Sequence, residues 1–533
     1  MQTNIGDYFR EVCQRYAASV AFEHMKVALT YQDALELSLA FAAFLQSKGL
    51  KKADKVAIML PNCLPYPVVM MGVFLAGGIV VNINPEFTER ELDATLAHAE
   101  VTWVIVLDVF AYKLTNRQTK AIVVSLFDLF PSAKRWFLSF LLQFVLRKIK
   151  RFKLADSVRF RAALSEGRAL SHSSVNICLD DIAFLQFTGG TTGKPKAAML
   201  SHGNILANIR QIHQRFGASF VPGAEVNLLA LPLYHIFSLM VNFLFPMDIG
   251  CKNIVIVNPR DLTALIKALK GCSLSLFVGV NTLFAKLLHH PLIKQVDFSR
   301  LKYSIAGGMA LQKQVSDEWA RLTGKPILEG YGLTETSPAV TMNALENGVY
   351  NGSIGLPLPE TELAFLDEQQ RPVPQGEVGE LAIRGPQVML GYWKNPEETA
   401  KVMTKDGFLL TGDMAYQDAQ GLVYLKERKK DLIIVSGFNV YPSELEAILV
   451  AHPRIQEAAV IGVLQPIGSE KVVAYVVKKG ELTQQAVLDY CSDNLAKYKH
   501  PKEVIFVNDL PKSNVGKVLK RVLRERYKHE EAV

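Results

Sequence analysis

Between residue 55 and about residue 330, short β-branched or aliphatic runs recur at 56–60, 79–83, 104–107, 122–124, 253–257 and 274–278, each separated by a longer amphipathic stretch. Alternation of this kind predicts parallel sheet with crossover helices. After residue 352 the texture changes: Gly and Pro become dense, and short alternating runs at 380–384 and 423–425 predict a small β-rich subdomain. The compact charged cluster Lys426-Glu427-Arg428-Lys429-Lys430-Asp431 then separates two apolar runs and reads as a solvated hinge. Beyond it, Ser443 and Glu446 stand at capping-box spacing after Pro442 and mark a helix start. Runs at 458–463, 472–478 and 504–507 predict strands, and 484–497 predicts a helix. A chain of 533 residues exceeds what one core can hold. The expected fold is α/β: a large N-terminal domain, residues 1–427, with parallel α/β sheets and the β-rich subdomain, and a small mobile α+β domain, residues 428–533, hinged near 428–431.

Composition narrows the function classes. Hydrophobic residues at 49% and charged residues at 21% give enough apolar surface to fold and exclude a disordered chain. A formal charge of +8 favours anionic ligands or anionic lipid surfaces. Lys and Arg are mostly dispersed among acids, with no zinc-finger spacing or RNA-binding aromatic motif, so no nucleic-acid partner is expected. The six cysteines are far apart and form no C-x-x-C pair, which fits a reducing cytoplasm. The N-terminus lacks the basic start and apolar run of a signal peptide. The greasiest stretch, 136–146, is followed by Arg147, Lys148, Lys150, Arg151 and Lys153. It is shorter than the roughly 20 apolar residues that span a bilayer. Two readings remain open: an interfacial helix that makes the protein peripheral on the cytoplasmic face of a membrane, or a buried helix with a solvated basic end.

The strongest local signal is Thr188-Gly189-Gly190-Thr191-Thr192-Gly193-Lys194-Pro195-Lys196, directly after the strand-like run 182–187. Glycines let backbone N–H groups approach closely, threonine hydroxyls donate, and lysines add positive charge, so the loop suits a polyphosphate. It is not a Walker loop, because Pro195 follows Lys194 where that motif needs Ser or Thr.

With this loop the sequence resembles the adenylate-forming superfamily, a likeness that runs from the first helix to near the C-terminus. Pro232-Leu233-Tyr234-His235, Gly330-Tyr331-Gly332-Leu333-Thr334-Glu335-Thr336, Thr411-Gly412-Asp413, the cluster at Arg428, Ser436-Gly437-Phe438-Asn439-Val440-Tyr441-Pro442 and Pro511-Lys512-Ser513-Asn514-Val515-Gly516-Lys517 occur in that family's order. The likeness is nearest to bacterial long-chain fatty-acid–CoA ligases, through Asn258-Pro259-Arg260-Asp261, Gly355-Leu356-Pro357 and Pro386-Gln387-Val388-Met389-Leu390-Gly391-Tyr392-Trp393. The resemblance implies ATP, Mg²⁺ and coenzyme A (CoA) acting on a fatty acid. A carboxylate must attack the α-phosphate of ATP, so cations must offset the meeting of two anions. By the resemblance, Glu335 holds the metal and Tyr331 stacks on adenine beside Gly307-Gly308, with Gly332 and Thr334 in the same motif. Asp413 takes the ribose hydroxyls, Arg428 the ribose or phosphate, and His235 stands on the substrate side. Lys517 reaches the substrate carboxylate and α-phosphate, then withdraws as the small domain turns about Lys430 and brings Gly437 to the CoA thiol.

Taken alone, His235 amid Leu233, Ile236 and Phe237 is equally a core histidine, and Lys517 an ordinary surface lysine. The stripe Phe237, Leu239, Met240, Phe243, Leu244 and Phe245 suits either an acyl tunnel or plain core. Ala197 stands where the family usually has Gly, which would strain the loop if that position needs positive φ. Rival readings are a medium-chain or aryl acid, an amino-acid adenylation domain, acyl-AMP formation without CoA, and a lipid-binding scaffold without turnover. An amino acid would need an acidic partner, yet the stretch after His235 is apolar until Asp248. A homodimer is left open, as is chain-length preference.

Overall fold

The computed structural model describes all residues except 1–3, 116, 118, 189–195, 345–349, 436–437, 466–469, 513–517 and 532–533. Two compact units emerge: Met1–Asn351 with Pro357–Glu362 and Arg384–Met403, and Gly352–Leu356 with Leu363–Ile383 and Thr404–Val533. This division is by packing, and it groups the β-rich segment with the C-terminal part. The expected division at 427/428 concerns which part moves, and it returns as a proposal below.

The first unit is built on two mostly parallel sheets. One runs in the order Gly391–Tyr392, Lys196–Ser201, Ile182–Thr188, Ile79–Asn82, Lys55–Met59, Trp103–Leu107, Lys120–Val124, Ser157–Arg159. It is parallel from Ile182–Thr188 onward and antiparallel at its other end. The other holds, in order, Ala339–Met342, Ile327–Gly332, Tyr303–Ala306, Leu276–Gly279, Val226–Leu229, Lys252–Val255, Val20–His24 and Val27–Thr30. Strands Ile79–Asn82, Trp103–Leu107 and Tyr303–Ala306 are buried at every position. That is why they read as continuous apolar runs: parallel strands covered by helices have no wet face.

In the second unit, Gly379–Arg384, Leu409–Gln417 and Val423–Arg428 form an antiparallel sheet. A separate sheet joins Ile455–Leu464, Glu470–Lys478 and Glu503–Phe506. Its side chains alternate strictly. Val460, Val472, Ala474 and Val476 pack with Leu445, Leu449, Val487 and Cys491 of helices Pro442–Ala451 and Gln484–Asn494. Ala459, Ile461, Val473 and Tyr475 pack with Leu523 and Tyr527 of helix Lys520–Glu531 on the other face.

Three expectations need correction. The helix starts at Pro442 as expected, but Ser443 and Glu446 form no capping box. The Ser443 hydroxyl donates to the Lys426 carbonyl at 2.5 Å, while Glu446 accepts from the Val460 N–H and pairs with Lys520. The charged cluster is only half solvated: Lys429 and Lys430 are exposed, but Glu427 accepts from the Ser443 N–H and Asp431 pairs with Arg524 at 2.8 Å. Opposite charges on the neighbouring helices cover what the sequence presents as a bare hinge. Finally, no residue of helix Ser132–Phe140 or of the turn Leu141–Val145 is buried, which removes the buried-helix reading of 136–146. Among the described residues, no helix is long and apolar enough to cross a membrane.

Candidate active site

The phosphate-type loop joins two antiparallel strands. Thr188 ends one, Lys196 starts the next, and the two are register partners. Gly189, Gly190, Thr191, Thr192 and Gly193 lie outside the described residues. Ala197 sits inside strand Lys196–Ser201, fully buried opposite Phe187, and is not among the positive-φ residues. The strain considered for it therefore does not arise.

Lys196 is held by Glu398 at 2.5 Å, and its ammonium lies 5.4 Å from the Tyr392 ring centroid. The Tyr392 hydroxyl donates to Glu335 at 2.7 Å, and the Tyr392 N–H donates to Thr399 Oγ1 at 2.9 Å. Burial, reinforced by the Glu335 charge, raises the Tyr392 pKa well above its ordinary value, so the hydroxyl keeps its proton. Glu335 itself stands on the tight turn Thr334–Thr336, whose backbone is tied down by the Met389 N–H donating to the Glu335 carbonyl at 2.8 Å. This turn packs against both strands flanking the phosphate-type loop. Thr188, Lys196, Thr334 and Glu335 are thus brought together, with Tyr392 as the link.

Two further motifs leave adjacent parallel strands at the same edge: Gly307-Gly308 follows Tyr303–Ala306, and Tyr331-Gly332 ends Ile327–Gly332. The C-terminal edge of a parallel sheet is where open α/β folds place ligands. A Cβ on Gly332 would stand 1.8 Å from the Pro338 carbonyl oxygen, so only glycine allows the strand and the following turn to meet. Gly308 has φ +78° and open space where a side chain would be, leaving its backbone accessible.

His235 follows a segment pinned by buried polar side chains. Asn62 accepts from the Leu233 N–H at 2.9 Å, Tyr66 donates to the Leu233 carbonyl at 3.2 Å, and Gln186 donates to the Tyr234 carbonyl at 2.7 Å. The His235 Nε2 is buried with no hydrogen-bond partner among the described residues. Burial lowers its pKa to about 4, so the imidazole is neutral near pH 7. Leaving such an atom unsatisfied costs roughly 1–3 kcal/mol, which an arriving polar group would recover. Two residues on, the Phe237 ring occupies the space beside Gly307, tying this segment to the glycine pair. Leu239, Met240, Phe243, Leu244 and Phe245 are fully buried, and Phe243 packs on Phe22 and Tyr66, so these five are core.

Glu329, just before Gly330, accepts from the Leu311 N–H at 3.1 Å, yet burial lifts its pKa to about 7. The folded state thus binds this proton more tightly than the unfolded chain, and stability is lost as pH rises from about 4.5 through about 7. Glu329→Gln keeps an acceptor for Leu311 without a charge to bury. Its Tm is expected to match the parent near pH 4.5 and to exceed it increasingly up to pH 8, checked by thermal unfolding across that range.

In the second unit, Asp413 and Arg428 are register partners on neighbouring strands, paired Nε to Oδ1 at 2.6 Å, with Asp413 buried. Gly412 has φ +70° and its N–H donates to Glu380, which also pairs with Lys429. Gly437 and Lys517 lie outside the described residues.

Residues 9–393 match the family model described as AMP-binding enzyme, and residues 444–517 match the AMP-binding enzyme C-terminal domain. The chain belongs to the AMP-binding enzyme family. The long-chain-fatty-acid–CoA ligase of Escherichia coli O6:H1 is 43% identical over 526 residues, spanning 97% of this chain and 94% of that protein. That of Salmonella typhimurium LT2 is 44% identical over 526 residues, again 97% of this chain and 94% of the relative. The ATP-bound crystal structure of MatB from Rhodopseudomonas palustris superposes with a TM-score of 0.82 at 30% identity, covering 98% of this chain and 99% of that one. Membership of the AMP-binding enzyme family agrees with the α/β fold and with the order of motifs. Sequence reasoning missed Tyr392, Glu398, Gln186, Asn62 and Tyr66. Tyr392 lies in a quoted motif, but nothing local marks its bond to a residue 57 positions away.

Proposed function

We propose that the protein activates a long-chain fatty acid with ATP as acyl-AMP and then forms the CoA thioester. In the first step a carboxylate oxygen attacks the α-phosphorus and the bond to pyrophosphate breaks. In the second the CoA sulfur attacks the acyl carbonyl, giving up its proton, and AMP leaves. The observation that carries this reading is the cluster of Thr188, Lys196 and Glu335 around the phosphate-type segment, together with a buried His235 nitrogen without a partner among the described residues, next to a residue held by Gln186 of the same strand as Thr188. The activity named for relatives that are 43% and 44% identical across nearly the whole chain supports it.

Thr188, Gly189, Gly190, Thr191, Thr192, Gly193 and Lys196 would cradle the departing phosphates. Tyr331, Gly332, Thr334, Gly307 and Gly308 would receive adenine, Asp413 and Arg428 the ribose, and His235 the acyl side. Lys517 would serve adenylation, and Gly437 the pantetheine after the region beyond 428 turns about Lys430. Among the described residues no group of three or more His, Cys, Asp or Glu gathers to hold a metal. Glu335, a single carboxylate held by the Tyr392 hydroxyl, fits Mg²⁺, which keeps waters and phosphate oxygens as its other ligands. When bound, the ion would neutralise charge developing on the leaving pyrophosphate. We place the reaction in the cytoplasm, with the protein peripheral on the membrane that supplies its substrate.

The test is AMP release measured with acids of increasing chain length, with and without CoA. Release that depends on CoA and is greatest with long-chain acids supports the proposal. Preference for aryl acids, or acyl-AMP accumulation regardless of CoA, would replace it with one of the rival readings.

A further inference from the structure

We infer that residues 132–153 form a docking surface for an anionic lipid bilayer. This deepens the functional proposal, since it names the surface from which a lipid substrate would be taken. Helix Ser132–Phe140 and the turn Leu141–Val145 contain no buried residue. Trp136 is 70% exposed, Phe137 60% and Phe144 59%, and Val145 and Leu146 are exposed beside them. The rings gather: Trp136 stacks on Phe140 at 5.7 Å between centroids, and Phe140 meets Phe144 at 5.1 Å. Keeping so many large apolar side chains in water is unfavourable, and a contiguous patch of this kind marks an interaction site.

Charge identifies the partner. Residues 129–155 contain Lys134, Arg135, Arg147, Lys148, Lys150, Arg151 and Lys153 and no Asp or Glu. Because the whole chain holds 59 basic and 51 acidic residues, this one segment supplies nearly all of the excess. Aromatic and aliphatic side chains flanked by cations suit the boundary between acyl chains and anionic headgroups. A second copy of the chain fits poorly, since a two-fold contact would set each copy's cations against the other's. Nucleic acid could meet the cations and stack on Trp136, Phe137 and Phe144, but it would leave aliphatic Val145 and Leu146 in water, so a bilayer accounts for more of the patch.

The full-length protein without substrates is sedimented with phosphatidylcholine vesicles with or without phosphatidylglycerol. Binding is expected on the anionic vesicles and should weaken with added salt. Each cation near the surface contributes about fivefold. Substituting Arg147, Lys148, Lys150, Arg151 and Lys153 together with Gln should therefore cost at least about a hundredfold in partitioning. The chain has four tryptophans, of which Trp103 and Trp319 are buried and Trp393 is half-buried, so Trp136 is the exposed reporter. Brominated lipid should quench its fluorescence, and Trp136→Phe should lose the quenching yet still sediment. Unchanged sedimentation of the five-Gln variant, or quenching that survives Trp136→Phe, would overturn the inference. So would a dimer seen by light scattering without vesicle binding and dispersed by Trp136→Ser with Phe144→Ser. Because binding is read without ATP, CoA or fatty acid, vesicle binding by a protein lacking ligase activity would sink the functional proposal and leave this one standing.

Discussion

Lys517→Ala is expected to lower fatty-acid-dependent ATP–pyrophosphate exchange by about a thousandfold while leaving CoA-dependent thiolysis of supplied acyl-adenylate largely intact. The asymmetry follows from where charge collects. In adenylation a carboxylate approaches an already anionic phosphate, and the barrier contains their repulsion. An ammonium placed between them is worth most when the new bond is partly made, which is the condition for lowering the barrier rather than merely tightening binding. In thiolysis the acyl group is already esterified, so that clash is gone. Lys512 and Val518, the described residues on either side of the segment with Lys517, form a bridge, and Lys512 is anchored by Glu457 at 2.6 Å and Asp509 at 3.2 Å. An unchanged thermal transition checks that the variant folds. Equal loss of both half-reactions would show that Lys517 does not divide its labour between them.

How much of this was legible in the sequence depends on how local each cause is. Strands such as Trp103–Leu107 and Tyr303–Ala306 announce themselves because burial on both faces demands an apolar residue at every position. The run 188–196 stands out by its own composition, whereas Gly307, Gly308, Tyr331 and Glu335 are named only through the family resemblance; the structure brings Thr188, Lys196 and Glu335 together. Side chains that act across the fold were not legible. Gln186 is an unremarked polar residue in a strand until its amide reaches the Tyr234 carbonyl, and Glu398 is an ordinary helix-start acid until Lys196 arrives from 202 residues away. Ser443 and Glu446 misled for the same reason: their spacing fits a cap, but tertiary partners at Lys426, Val460 and Lys520 compete for the same atoms. The exposure of the helix at 132–140 was beyond sequence altogether, because its apolar pattern suits a core or a membrane equally.

Glu335→Gln is expected to reduce adenylation by roughly 10²–10³-fold and to raise the Mg²⁺ concentration needed for half-maximal rate. Tyr392→Phe should reproduce a weaker form of the same defect, roughly ten- to a hundredfold, because a hydrogen bond to a charged group is worth about 1.5–3 kcal/mol. The hydroxyl fixes one Glu335 oxygen at 2.7 Å, while the Met389 N–H fixes the backbone of the same residue. Removing the hydroxyl leaves the carboxylate its charge but frees its rotation, so the metal-binding form must be selected from several rotamers. If Tyr392 acts through Glu335, the double variant should be no worse than Glu335→Gln alone, since contacting residues in one network do not add. Mn²⁺ bound in the presence of ATP, followed by electron paramagnetic resonance, should weaken in the same order as the rates. Additive losses would instead assign Tyr392 to the other group its ring touches, the Lys196 ammonium 5.4 Å away, and would separate the metal-holding side of the site from the phosphate loop.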